Sequence, residues 1–584
     1  MKRNLSHISL MFPKFLMSSS QTPIQMSLDY AREIRNMYAQ QGGAGFKRNG
    51  VRKIGNALEG TEIVSLMHYV PPSGDIQILA VSDSGCIYLK DDDNWVEKFS
   101  GLNSAGKVRW VHYAGKLIIC NGLDPVMSWD GDTVSIIHEY VQENGDNLTF
   151  VNSTTFTVES GAVFYTVGKE LKVTLEEGVT VNGTVSSVSQ LGSVTTVTVE
   201  EPVLTANLSL VEFKEYPPKF NNLYAAHDRL WGMGTGSLKA ETFSNSADRT
   251  FAFYTDGLGD ENKWRDETGS LQYINIADKM PVSDELLAMA VKDGLTVFFG
   301  RHYTQVWSGY DPTESGDMTW NKTIPLGIVH GDLIAEMPND IAFFSRYGVR
   351  TLTRVLQTEQ LDIADLGSEV DAYVTKAVSE LMADDASYKK ALSFMHMNQG
   401  WFAFKPSQET LVFQLSGSAT GWTIFDGIFK DISAALNTPD GKLYMAMNGQ
   451  LYLYDENIYD DDGADITTKW WTPWIKPNSN GKNWANKYAE VITEQGEPVQ
   501  LSVKRYKNYN NSSFVNTTVT AHKAEDYWDQ ATWDGAFWDY GSSKPEQLAR
   551  DHYIADVVAY AVESSSSLGP LTIYGLKLFG IYER

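Results

Sequence analysis

Two cysteines in 584 residues leave almost no material for a disulfide framework or a thiolate metal site. Cys86 and Cys120 each lie in an apolar run, ILAVSDSGCIYL and GKLIICNG, which predicts two reduced, buried thiols. Long hydrophobic runs are also missing, and none approaches the ~20 residues that span a bilayer as a helix. Positive charge is in deficit: 48 Lys and Arg against 73 Asp and Glu give −25, which excludes ordinary DNA binding through a basic face. The G-x-S-x-G elbow, the H-E-x-x-H helix and the G-x-x-x-x-G-K-[ST] loop are all absent. Ten His are scattered without ligand spacing, and His112, His227, His302 and His396 read as strand residues with structural hydrogen bonds. Paired carboxylates for glycoside hydrolysis are spatial, and nothing among 73 acids selects a pair. The chain therefore reads as a non-enzyme, with no metal or cofactor.

What is present is aromatic and β-forming: 12% aromatics, 16 Trp, and short apolar runs separated by Gly, Asn and Asp. One pattern of turn, apolar strand, turn and aromatic-ended strand returns at roughly forty-residue intervals. Its copies begin at Gly74, Tyr113, His227, Lys292, Pro338, Asn398 and Pro439. A four-stranded sheet cannot bury both faces alone, so repeated sheets stack radially and the ring closes. This predicts an all-β chain built on a β-propeller of six or seven blades, the terminal copy sharing strands across the closure.

The spacing breaks once, at a Val/Thr-rich alternating run, which predicts a small β-barrel or sandwich inserted at 139–216. Blades then occupy 25–138 and 217–469, and 470–584 reads as a C-terminal β-sandwich-like region. Residues 1–24, which open MKRNLSHISLMFPKFLMSSS, resemble a signal peptide interrupted by Pro13 and Lys14, and are read as an extension ordered only on binding. Helical spacing predicts a helix through Leu28, Ala31, Ile34, Met37 and Tyr38, with Ser27 as N-cap, and a second from Ser368 to Met382.

Three features invite chemistry. Asp460, Asp461 and Asp462 lie in DENIYDDDGADITT, which lacks the spacing of a calcium loop and reads first as a solvated turn. SDSG at Ser82 resembles the aspartate turn of sialidase propellers, which fixes a hairpin. Trp528, Trp533 and Trp538 recur every five residues in DYWDQATWDGAFWDYG, as a partner-contact or glycan-stacking row, or as packing.

The order of several segments resembles the tail nozzle, or packaged-DNA stabilisation, proteins of short-tailed bacteriophages. These are Asn36-Met37-Tyr38, RNGVRKIG from Arg48 to Gly55, HDRLWGMGTGSLKAETFSNSAD, LTVFFGRHYTQVWSG, IAFFSRYGVRTLTR and ARDHYIADVVAYAV. The resemblance implies a structural virion protein at the distal phage tail. It implies a ring of six copies joined to portal or head-to-tail adaptor proteins, with tail fibres or spikes as neighbours. Genomic DNA would pass its lumen without sequence-specific binding, be retained after packaging and be released at ejection. An acidic wall suits that passage, since each phosphate contact would hold the duplex, and Asp460, Asp461 and Asp462 are the channel-lining candidates. The competing reading is a propeller that binds or hydrolyses host surface polysaccharide through the Trp row.

Overall fold

The computed structural model describes residues 6–583 except 522–552, 236–247, 359–365, 159–164 and stretches of five residues or fewer. It is mostly β and divides into two compact units. One holds residues 1–68, 75–101 and 324–584; the other holds 69–74 and 102–323. Among the described residues no helix is long and apolar enough to cross a membrane.

Among the described residues the repeats form seven antiparallel meanders, six of them separate sheets and one, from Leu392–His396 to Gly421–Phe425, part of a larger sheet. In the first unit these are a sheet spanning Ile63–Tyr69 to Asn94–Ser100, a three-stranded sheet from Ile334–Glu336 to Gly348–Thr351, one from Leu392–His396 to Gly421–Phe425, and one from Ala434–Asn437 to Gln450–Asp455. In the second unit they begin at Arg109–Tyr113, Phe220–Ala226 and Leu286–Lys292. In every copy read from the sequence, the apolar run becomes the second strand of a sheet. Several hairpin turns are two-residue loops with both residues at positive φ, such as Asn448 (φ 50°) and Gly449 (φ 75°). That geometry matches the twist of the paired strands, and Asn and Gly enter it at little cost. His227 occupies one such turn (φ 56°), and His302 also lies in a turn, so neither is the strand residue its apolar neighbours suggested. The SDSG turn fastens a hairpin: Ser82 Oγ accepts from the Cys86 amide at 3.2 Å, and Asp83 Oδ1 accepts from the Glu62 amide at 3.1 Å. Neither cysteine is in a disulfide, but Cys86 is only half-buried, unlike Cys120.

Glu139–Asn144 to Leu208–Glu215 make one seven-stranded sheet in the second unit. Phe156, Val173, Val185, Val197, Val211 and Phe213, from both halves of it, share one core. The sheet therefore folds over along its long strand, Thr180–Leu191, whose register shifts between Val185 and Ser187.

The start of the chain departs most from expectation. Residues 6–24 are not a free extension: β1 (Ser6–Met11) pairs along Gly580–Gly575, and Leu10, Phe12, Leu16 and Met17 are buried. No helix covers 28–38. The chain instead forms β2 (Glu33–Arg35) and β3 (Met37–Gln40), followed by β4 (Ala44–Lys47) and β5 (Gly50–Ile54). Ala31, Ile34 and Met37 are all fully buried at a spacing of three. The spacing is not helical, because Asn36 between the strands takes φ 51° and shifts which residues face inward. The second helix is present as Asp371–Ala383 after a turn of 3-10 helix, and buries Val374, Ala377 and Leu381.

The C-terminal strands form two sheets with a common core. One carries Ile466–Trp471, Val558–Ser566, Val499–Lys507 and Phe514–Ala521 and continues through β2, which pairs with both Ile466–Trp471 and Gly421–Phe425, into the meander that begins at Leu392–His396, making nine strands in all; the other carries Asn483–Gln495 and Leu571–Glu583 together with β1, β3 and β4. Trp470, Leu501, Val503, Tyr560 and Val562 of the first pack with Leu10, Ala39, Ala489, Ile573 and Leu576 of the second.

Candidate functional site

β5 is the outer strand of the last repeat sheet, paired antiparallel from Gly50↔Asp455 to Ile54↔Leu451. The first strand of the repeat region thus completes the final sheet, and the residues just before it lock that seam. Gly50 has no alternative, because a Cβ there would lie 1.8 Å from the Asp460 carbonyl oxygen. The close approach lets the Val51 amide donate to that oxygen at 3.0 Å.

Arg48 has a fully buried side chain, which is costly for a guanidinium unless its donors are satisfied. They are satisfied. Nη1 and Nη2 reach the two Asp461 carboxylate oxygens at 2.9 and 2.6 Å, Nε donates to Asn36 Oδ1 at 2.8 Å, and the remaining donors meet the carbonyls of Asn49 and Asp426. The guanidinium also lies over the Phe429 ring at 4.7 Å. Asn36 is used at both ends: its Oδ1 also accepts from the Asp426 amide at 2.9 Å, and its Nδ2 donates to the Asp426 carboxylate and to the Thr467 carbonyl. Asn is one of the few residues that makes these bonds while tolerating a left-handed backbone.

The network continues outward. Arg35 donates to Glu33 and, at 2.7 Å, to Glu409, which accepts from the Tyr373 hydroxyl at 2.7 Å; Lys469 reaches Glu33 at 2.6 Å. Burial pushes the Glu33 carboxyl up, but Lys469 and Arg35 outweigh it and hold the group below its ordinary value. Burial, then the Glu409 charge, raise the Tyr373 phenol, so it stays a neutral donor. Lys47 donates to the Ser566 and Leu568 carbonyls, and burial, reinforced by Arg48, pushes its ammonium down to about 8.

A second polar group sits on the other side of Asn49. Asn49 Oδ1 accepts from Gln399 at 2.7 Å and from the Tyr38 hydroxyl at 3.3 Å, and Gln399 Oε1 accepts from Trp401 and Tyr454. Burial, with the nearby Tyr459 and Glu456, pushes the Tyr38 phenol up to about 12. Next to it His396 faces Trp401 and Tyr454 and meets Glu456 at 3.2 Å. Burial lowers the His396 imidazole, which stays neutral near pH 7.

The three aspartates singled out by sequence therefore differ. Asp461 is covered and paired with Arg48; Asp460 is half-buried and accepts from the Gly463 amide; Asp462 is exposed, takes φ 54° and pairs with Lys53 at 2.6 Å. Trp528, Trp533 and Trp538 lie outside the described residues. Asn36, Arg48 and Asp426 are the site residues that sequence reasoning passed over, although Asn36 and Arg48 stood in the segments carrying the resemblance. Among the described residues no group of three His, Cys, Asp or Glu is placed to hold a metal ion.

No protein-family model and no curated protein sequence matches the chain. Similar solved structures include the WD40 β-propeller domain of Doa1 (TM-score 0.31, 10% identity, 69% of this chain and 97% of that one). BamB from Moraxella catarrhalis matches with TM-score 0.30 and 7% identity over 77% and 97%, and the phage phi92 endosialidase with 0.27 and 12% over 75% and 74%. At these TM-scores the likeness carries no functional argument.

Proposed function

We propose that this chain is a structural virion protein, the distal tail nozzle of a short-tailed phage. On this reading the seven meander sheets are blades of one propeller. Copies of the chain form a ring, six in number, that continues the portal and adaptor channel, retains the packaged genome and opens for ejection. The observation that carries the reading is the seam. The segments that resemble the nozzle family at the start of the chain, Asn36 and Arg48–Gly55, are the ones that join β5 to the last repeat sheet through Asp461. A part that withstands the pressure of packaged DNA benefits from a scaffold whose beginning is locked to its end. The net charge of −25 suits a lumen that must release DNA, since phosphates find few cations there. Of the acidic turn, Asp460 and Asp462 are the residues left to face such a lumen.

Electron microscopy of virions carrying a labelled version of this chain tests the proposal. A ring of label at the distal end of the tail, around a channel narrower than a DNA duplex, is the expected result. A chain absent from the tail axis, or a purified monomer that degrades host polysaccharide, overturns it in favour of the glycan-active propeller.

A further inference from the structure

His396 ends the strand Leu392–His396, and the turn that follows Gln450–Asp455, the partner of β5, brings Glu456 against its imidazole. The ring is buried, with 3% of its side chain exposed, and stands steeply inclined to Trp401 at 5.6 Å and to Tyr454 at 5.1 Å. Nε2 faces the Glu456 carboxylate at 3.2 Å, so in the neutral ring Nε2 carries the proton and donates. Nδ1 is covered and has no partner among the described residues. Protonation puts a second N–H at that position. A buried donor on a charged ring with no acceptor costs more than the idle lone pair it replaces.

The surroundings give an imidazolium little in return. Glu456 is the charged group that acts on the ring, but its side chain is 47% exposed, so solvent screens the attraction, and burial lowers the imidazole more than Glu456 raises it. Tyr454 beside the ring and Tyr38 across Asn49 are phenols that burial keeps neutral. Arg48, whose charge reaches Tyr454, is neutralised by Asp461, and Asp455 pairs with Arg52 at 3.3 Å. What His396 touches is also what holds the seam. Asn49 Nδ2 donates to the Glu456 carbonyl at 2.6 Å, and Asn49 Oδ1 accepts from Gln399, whose Oε1 accepts from Trp401 and Tyr454, the two residues that flank the imidazole. Gly50, the next residue along, opens the β5 ladder opposite Asp455.

We propose that His396 is a proton sensor that loosens the seam in acid: the imidazolium leaves its place between Trp401 and Tyr454 for solvent, draws Glu456 from Asn49 and frees the Gly50 end of β5. The sign follows from where the proton binds. The folded imidazole titrates below the ordinary value of about 6.5 that it regains when the seam opens, so beneath that value the open state holds more protons. Stability of the seam therefore falls as pH falls through this window, with the opening equilibrium rising by up to about tenfold per pH unit for one proton. Such a device acts in the range where His is the side chain that changes charge. The inference rests on the geometry of the seam and not on the nozzle reading.

The test is hydrogen exchange of the full-length chain read by mass spectrometry from about pH 7.5 to about pH 5, with rates corrected for the intrinsic effect of pH on exchange. Peptides covering 50–54 and 450–455 are expected to lose protection by about threefold or more on acidification, and the loss is expected to vanish in His396→Phe, which keeps an aromatic ring and cannot titrate. Exchange at the C2 carbon of His396 in the unaltered protein gives its titration midpoint directly and needs no variant to fold. That midpoint is expected below the value for the unfolded chain. A midpoint at or above the unfolded value, wild-type protection that acid leaves unchanged, or an equal loss in His396→Phe overturns the proposal.

Discussion

Arg48 and Asp461 stand 413 positions apart and close a two-pronged ion pair, at 2.9 and 2.6 Å, in a place where the Arg48 side chain has no exposed surface. A buried pair adds little net stability over a well-packed apolar pair, but removing one partner leaves the other charge stranded. Arg48→Met is therefore expected to lower unfolding stability by about 3–5 kcal/mol. The double variant Arg48→Met with Asp461→Leu is expected to lose less than the single one, because no carboxylate then remains uncompensated. Denaturant unfolding of the three proteins measures the difference.

Gly50→Ala tests the closeness of the seam. The added methyl must displace the Asp460 backbone, since its nearest atom would be 1.8 Å away and is not the end of a flexible side chain. A loss of roughly 1–3 kcal/mol is expected, the usual cost of overpacking. Hydrogen exchange should show the loss of protection concentrated at Val51, whose amide donates to Asp460.

Lys47 gives the seam a pH dependence of known sign. In the folded chain its ammonium loses its proton near 8, while in the unfolded chain it keeps the proton to about 10.5. Between those values the unfolded state holds more protons, so this group's contribution to stability rises with pH, by at most about 3 kcal/mol. The burial penalty is fully present below pH 8. Stability of the wild type relative to Lys47→Met, measured from pH 7 to 10, is expected to climb across that window; a flat difference would show that Lys47 is not buried.

Deleting residues 2–20 removes Leu10, Phe12, Leu16 and Met17 from a core they share with the C-terminal strands or with the sheet beside it. At about 1.5–3 kcal/mol for each buried side chain, the loss is comparable with the stability of a whole domain. The expected outcome is rapid proteolysis within 483–583. A truncated chain that stays folded but no longer assembles would return these residues to the reading of an extension ordered on binding.

The repeats were legible in the sequence because hairpins are local. A dipeptide such as Asn448-Gly449 fixes a turn, and the flanking strands pair within a few residues of it. The seam was not legible in the same way. Nothing near Arg48 signals that its partner is Asp461, and DDD reads as a solvated run until the fold brings one of its members under cover. Asn36 misled in a different manner, since a single left-handed residue between two short strands produces the three-residue spacing of Ile34 and Met37 without a helix. Phe12, Leu16 and Met17 were masked by Pro13 and Lys14, which break an apolar run without keeping its members out of a core.

That β5 pairs with Gln450–Asp455 also sets a timetable. A ribosome adding 5–20 residues per second reaches Gln450 roughly 20–80 s after it has made Ile54. For all that time β5 exists without the strand it belongs to, and its partner sheet is the last of the seven to be made. The nascent chain must therefore hold an unpaired β-strand for longer than most domains take to fold. Whatever shields that strand during synthesis governs how many chains are born intact.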